Sequence, residues 1–531
     1  MPPPLDTEHP RRWRILAVLV CCLLSIILDN TVLNVALRTL TDPERGLGAT
    51  HSELEWILSS YTLVFAALLF TCGAAADRFG RRRLLLLGLT VFGLASLASA
   101  YAAGPTALIL SRAAMGVGAA AVMPSTLAVI AAVFPMRERP KAIGIWAGAV
   151  GFALAIGPVT GGLLLSWFWW GSIFLINVPL VAGCVVAVLL VVPETRGHPR
   201  RGLDLPGVGL SIVGLAGLVY GVITGGRLGT LTDLRVWGPL LAGLAALWLF
   251  VRHERRTAQP AFEMSFLREP AFSAALVAVG FVSFAMLGFL FFSAFYLQSV
   301  RGYSPLRAGS FTLALAAANI IVGPLSSVAV RRYGPRAVCA AGLFSVAAAL
   351  IGVALVRQHT PPWALLPMFA LLGGGMAAVM PAASMSIMTA IPREKAGVSS
   401  AMNNTVRQLG SVLGVAVLGS VLASTYRAGV SDELAVLPTA ARHAAGESLD
   451  ATLAAAAARG GDTDALVSAA RTAFVDAMHL TALLAALLAL AGAVVALRGL
   501  PRTLPTRDLP AGAAPGPRRP VRSAVESSPT P

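Results

Sequence analysis

Ala121-Val122-Met123-Pro124 returns 257 residues later as Ala378-Val379-Met380-Pro381, and each copy has another proline eleven residues on, Pro135 and Pro392. Arg78-Phe79-Gly80 returns in the same way as Arg332-Tyr333-Gly334, 254 residues on. Two separate strings with nearly equal offsets point to a chain made of two copies of one unit. Both copies lie in apolar sequence, and that decides the medium. Of 531 residues, 56% are hydrophobic and 12% charged, about half the charge of a soluble globular chain. So few polar side chains cannot cover a particle of this size in water, and lipid must supply part of the solvent.

A helix that crosses a bilayer needs about 20 apolar residues. Fourteen segments qualify: 15–37, 54–74, 84–102, 107–133, 142–165, 172–192, 206–226, 236–251, 272–297, 308–330, 337–356, 364–390, 399–423 and 473–497. Strand alternation is absent, which sets a β-barrel aside. With the N-terminus in the cytoplasm, 28 of the 41 Lys and Arg residues fall in segments on that side and 11 outside, while Arg112 and Arg407 stay within spans. That is the positive-inside pattern, and it places a multi-pass chain in the cell (plasma) membrane with both termini cytoplasmic. It also accounts for the net charge of +16 without nucleic acid, for which no basic–aromatic patch or zinc-finger spacing exists. The first span carries Asp29 and lacks a cleavage site, so it reads as a retained helix. All five cysteines fall in apolar segments without metal-ligand spacing and read as small hydrophobes.

Spans and repeat together give an expected order. A tail (1–14) precedes a six-helix bundle (15–192). A linker with spans seven and eight (193–270) leads to a second six-helix bundle (271–497), which carries a long outer loop (424–472). A disordered cytoplasmic tail (498–531), rich in Pro and Arg, ends the chain. The fold class is all-α integral membrane, with parallel repeats typical of secondary transporters.

Gly73-Ala74-Ala75-Ala76-Asp77-Arg78-Phe79-Gly80-Arg81-Arg82 lies between spans two and three and matches the GxxxDRxGRR signature of the major facilitator superfamily. Leu28-Asp29-Asn30-Thr31-Val32-Leu33-Asn34-Val35-Ala36-Leu37, Arg112 to Ala120, Gly157-Pro158-Val159-Thr160-Gly161-Gly162 after Gly148, and Ile173 to Pro179 fit its 14-helix branch. From about residue 15 to 497 the chain thus resembles the 14-helix drug:proton antiporters of that superfamily. The resemblance implies a monomeric proton-coupled exporter of lipophilic or cationic drugs that works without a cofactor. It also implies that Gly73, Asp77, Arg78, Gly80, Arg81 and Arg82 form an access-state latch, Asp77 and Arg78 reaching the other half. A plain basic anchor would look similar. Arg331 stands where the second copy would need the acid, so the latch cannot be symmetric. Departures are Arg38 for a usual Pro, Met115 for Gln, Gly171 for Arg, and Ser59 for an acid common near the start of span two.

Proton coupling needs a group that alternates between charged and neutral inside the membrane, and such groups are functional candidates by default. Asp29 reads as the only carboxylate deep within a predicted span, about 21 Å along its helix. Proton exchange competes there with a packing role. Arg112 cannot deprotonate; it either tunes the proton site, as the resemblance implies, or snorkels outward. Pro158 permits a kink, and Gly148, Gly157, Gly161 and Gly162 permit close helix approach. The resemblance makes this an antiporter motif sealing a seam; ordinary packing is the alternative. Asn34, about 140° around the helix from Asp29, joins Phe284, Phe292 and Arg407 as candidate pocket residues. Span nine carries Phe272, Phe281, Phe284, Phe289, Phe291, Phe292, Phe295 and Tyr296. They cover more than one face, so most are expected to meet lipid, while some stack on cationic drugs. Trp167, Phe168, Trp169 and Trp170 read as an interfacial belt.

No GxxxxGK[ST] loop suits an ATP-driven pump, and no DDxxD string suits a membrane prenyl-transfer enzyme. The remaining competitor is export of an endogenous metabolite, lipid or self-made antibiotic.

Overall fold

The computed structural model describes residues 10–135, 138–195, 204–228, 233–257, 264–390, 396–437, 442, 445–459 and 463–503. The expected tail beyond 503, with Arg137, Arg196, Arg200, Arg201, Arg393 and Lys395, lies outside them. Among the described residues all regular structure is helical. The long helices are α1 Arg12–Thr41, α2 His51–Phe79, α3 Arg81–Ala100, α4 Pro105–Val133 and α5 Arg139–Trp167, followed by α6, made of Ser172–Leu175 and Asn177–Val191. Then come α7 Leu205–Leu228, α8 Leu234–Arg256, and α9 Pro270–Phe295 with a π turn at Tyr296–Val300. Pro305–Ser310 leads into Thr312–Val353, which Gly334 (φ 80°) breaks into α10 (312–333) and α11 (335–353). The series ends with α12 Pro362–Ala390, α13 Ala396–Val430 and α14 Asp464–Gly499.

Among the described residues twelve helices are long and apolar enough to cross a membrane. The segment Pro305–Val353 is counted there once although Gly334 divides it, and α5 contributes only the shorter apolar stretch Ile156–Trp167. With both restored there are fourteen, at the places the hydrophobic runs predict.

Local chemistry sets the ends. Thr50 and Glu53 form a capping box at the start of α2, each side chain accepting the other's backbone N–H, at 3.3 and 2.8 Å. Gly80 (φ 111°) turns the chain from α2 into α3, a backbone state costly for any residue with a Cβ. Four glycines have positive φ among the described residues: Gly48, Gly80, Gly302 and Gly334. They form two pairs with the 254-residue offset, so the repeat is present in the backbone.

It is present in the packing too. A Cβ on Gly88 would meet Gly118 O, Ala121 and Val122; one on Gly342 would meet Gly375 O, Ala378 and Val379. The same small-residue contact therefore joins α3 to α4 and α11 to α12. In the first half α1 packs on α5 and α6, and α4 on α2 and α3. In the second, α9 packs on α12, α13 and α14. Helices α7 and α8 pair with each other, and α7 leans on α2 and α13.

One expectation is corrected here. Phe272, Phe284, Phe289, Phe291, Phe292, Phe295 and Tyr296 of α9 are all buried. Helix α9 packs on three helices of its own half and on α1 of the other, so these seven aromatics meet protein; Phe281 is half-buried and Val277 is exposed. Trp167, Phe168 and Trp169 are exposed as a belt requires, whereas Trp170 turns inward.

Gly118→Val and Gly375→Val should destabilise the two halves alike, because the nearest atoms stand 2.7 and 2.6 Å from the new Cβ. Overpacking costs about 1–3 kcal/mol, so both should melt several degrees lower in detergent. Gly183→Val, with nothing within 4 Å, should not.

Candidate functional site

Asp29 and Arg112 meet between α1, α4 and α6. Arg112 Nη1 donates to Asp29 Oδ2 at 2.5 Å, and both side chains are fully enclosed, 0% and 1% exposed. Asn177 Nδ2 donates to Asp29 Oδ1 at 2.9 Å and to Ser96 Oγ at 3.1 Å. The guanidinium lies 4.5 Å from the Tyr61 ring centre and 5.9 Å from that of Phe174. Its Nε–H reaches the Ile57 carbonyl at 3.4 Å. Arg112 therefore does not snorkel; it is the direct counter-ion of Asp29. Asn177 was legible only as part of the Ile173–Pro179 string, because spacing cannot pair side chains 148 residues apart.

A cavity opens on another face of α1. Thr31, Asn34 and Val35 line it with Pro158 of α5, Phe369 of α12, and Met286, Leu290, Ser293 and Leu297 of α9, which recur at helical spacing. Gln298 and Thr312 add polar atoms, and no charged side chain lines it among the described residues. Asn34 Nδ2 donates to Asn30 O at 3.0 Å, leaving its Oδ1 unpartnered. Of the four expected pocket residues only Asn34 reaches this cavity. Phe284 abuts Gly414 through its carbonyl. Phe292 stacks edge-on against Phe289 at 5.5 Å and lines a separate apolar hollow within the second half. Arg407 donates to Asn404 Oδ1 at 3.2 Å. Phe284 and Phe292 lie off the stripe that α9 turns to the cavity, and Arg407 stands on α13 away from it.

Above the cavity the halves meet. Thr31 and Val32 of α1 fill the space beside Gly157 and Gly161, while Leu306 of the second half sits on Gly162 and Gly309 abuts Pro158 O. Four of the five antiporter-motif residues thus form one seam; Gly148 lies lower in α5. A polar cluster covers the seam. Arg38 donates to Gln298 O at 2.5 Å and pairs with Asp450 at 3.4 Å, Ser299 Oγ donates to Asp450 at 2.9 Å, and Gln298 Nε2 donates to Val35 O at 3.0 Å. Asp450 belongs to a helix, Leu449–Arg459, in the long loop after α13, so that loop folds back as a cap. This end of the molecule carries the Arg-poor loops.

At the Arg-rich end the signature binds within its own half. Arg81 pairs with Asp77 at 2.9 Å and donates to Ala128 O at 3.0 Å, and Glu194 accepts from Arg82 N–H at 3.2 Å beside Gly80. Gly73 faces Pro124, and Arg78 is exposed over the Phe79 ring. Among the described residues the partners of Asp77 and Arg78 are Arg81 and the Phe79 ring, both in the first half.

Burial pushes the Asp450 carboxyl above its ordinary value in spite of Arg38. A group raised on docking favours the docked cap fully below the ordinary carboxylate range and loses that contribution as pH rises through the raised value. Asp450→Asn should therefore flatten the pH dependence of cap docking, read as the rate of proteolysis within 431–463 relative to wild type at each pH.

The Major Facilitator Superfamily profile matches residues 19–415. Multidrug efflux pump LfrA of Mycolicibacterium smegmatis is 35% identical over 495 residues, covering 93% of this chain and 97% of its own. Methyl viologen resistance protein SmvA of Salmonella typhimurium is 36% identical over 421 residues, covering 79% and 84%. The tetracenomycin C resistance and export protein of Streptomyces glaucescens is 32% identical over 422 residues, covering 79% and 78%. Among solved structures, an inward-facing, occupied bacterial homolog of the human lysosomal transporter Spinster aligns with a TM-score of 0.67 at 18% identity, covering 93% of this chain and 98% of its own.

Proposed function

The chain belongs to the Major Facilitator Superfamily, and on that premise we propose that it exports lipophilic drugs, neutral or with diffuse positive charge, across the plasma membrane in exchange for protons. The Arg-rich end is the cytoplasmic one, where both termini lie. The two bundles, 15–192 and 271–497, rock about the cavity between them. Their named contacts gather at the Arg-poor end among the described residues, which supports reading the present state as closed to the outside.

The observation that carries this reading is the placement on α1: an enclosed carboxylate–guanidinium pair on one face and an apolar cavity with scattered amides and hydroxyls on another. Asp29 is the proton carrier and Arg112 the fixed charge that holds it. When Asp29 takes a proton, Arg112 is left as a buried cation without its partner, at a cost of about 3–5 kcal/mol. The structure relieves that cost by moving α1 against α4 and α6. The same motion alters the cavity through Thr31, Asn34 and Val35 and the seam through Gly157 and Gly161. Drug and proton then compete without touching.

A specific relative favours a second reading. The Streptomyces glaucescens protein is named for both resistance and export, so a natural product made by the host cell is a reasonable cargo for the same cavity.

Inverted membrane vesicles under an inside-acid gradient should take up ethidium, and Asp29→Asn should cut that uptake by about tenfold or more. Equilibrium drug binding should lose its pH dependence and stay at the weaker affinity of the protonated wild type, since the amide mimics the neutral carboxyl although Asp29 does not line the cavity. Coupling that survives in Asp29→Asn removes the assignment. A drug panel without response, alongside transport of an endogenous product, selects the second reading.

A further inference from the structure

Two buried titratable side chains take no part in this mechanism. His51 and Glu55 stand one turn apart on α2, 8% and 2% exposed, and neither His51 Nδ1 nor Glu55 Oε2 has a hydrogen-bond partner. Glu55 falls at the edge of the predicted span, so the sequence reading of Asp29 as the only acid deep within a span passes over it, although the fold buries it. Both residues line a small polar pocket where α2, α7, α13 and the outer loop meet, with Ser52, Gly226, Arg427 and Glu447. The site is shaped to hold the carboxyl: a side chain at Gly419 of α13 would collide with Glu55 Oε1.

Among the described residues, the titratable and charged groups that line this pocket with Glu55 come from three elements. From α2 comes His51, whose ring stands edge-on to Phe295 of α9 at 4.6 Å and tilts toward Phe291 at 6.1 Å. From α13 comes Arg427, which donates to Gly226 O of α7 at 3.3 Å, and from the loop comes Glu447. An enclosed carboxylate without a donor costs several kcal/mol, whereas the neutral acid does not. A charged imidazolium wedged against two phenyl rings with an unpartnered nitrogen is penalised in the same way. Helix α2 belongs to the first half and α13 to the second, so separating the halves at this end uncovers both groups to water.

We propose that Glu55 is a second proton-binding site, and that the Arg-poor face closes only when Glu55 is protonated and His51 is neutral. This rests on the alternating-access reading above and adds a condition on it. Closure then has two limits: the face opens at alkaline pH as Glu55 loses its proton, and at acid pH as His51 gains one.

Tyr101 and Leu355 are exposed at equivalent places in the two halves, 254 residues apart, at the Arg-poor end. Spin labels at Tyr101→Cys and Leu355→Cys, with the five native cysteines replaced and Asp450→Asn silencing the cap carboxyl, report the opening. The distance should be short at intermediate pH and lengthen toward both extremes. Glu55→Gln should keep it short at alkaline pH, and His51→Gln should keep it short at acid pH. The proposal is overturned if Glu55→Gln, with an unchanged melting temperature, opens with alkali as wild type does, or if wild type ignores pH. Added tetraphenylphosphonium separates the two ideas. A distance that responds to the drug but not to pH sinks only the Glu55 site, whereas one that responds to neither sinks alternating access as well.

Discussion

The contact between Asp29 and Arg112 is the constraint on which the rest turns. Two opposite charges with almost no exposure cannot be moved apart cheaply, and neither can be neutralised without stranding the other. The pair fixes the register of α1 against α4, and Asn177 ties α6 to the same carboxylate. The network is not saturated. Arg112 Nη2 and Asn177 Oδ1 lack partners, so it is stable in one arrangement without exhausting its hydrogen-bonding capacity. A site with spare donors and acceptors can settle into a second arrangement when a proton arrives.

In the proposed mechanism helix α1 carries that event to the rest of the molecule. One face holds the ion pair, another lines the cavity, and a third fills the space left by Gly157 and Gly161. Beyond the seam, Arg38 on the same helix binds the π turn after α9 and the loop cap. A single helix thus touches the ion pair, the cavity, the seam and the loop cap. Small residues matter in this arrangement because they let the helices meet closely.

Much of this was legible before any coordinates. The fourteen hydrophobic runs, the 254- and 257-residue offsets and the signature loop are local strings, and local strings report helix existence and repeats well. Asp29 stood out because a carboxylate in hydrocarbon demands an explanation. What spacing could not supply was who meets whom across helices. Asn177 and Arg112 come to Asp29 from helices far apart in sequence, and the face of α9 turned to the cavity is set by packing. Its phenylalanines gave no clue to that, since an aromatic run fits a lipid face and a crowded centre equally well. Glu55 was missed for a related reason. At the edge of a span an acid normally reaches water, and only the arrival of α13, with a glycine opposite, encloses it.

The central claim is that cargo and proton are exclusive although they bind on different faces of one helix. Its most direct test counts protons released when a saturating lipophilic cation such as tetraphenylphosphonium binds to the purified protein in weakly buffered solution. The account predicts release that scales with bound cation near neutral pH and falls by the share of one carboxyl in Asp29→Asn, while the cation still binds. Binding with no proton release in the wild type, or equal release in the variant, would contradict it.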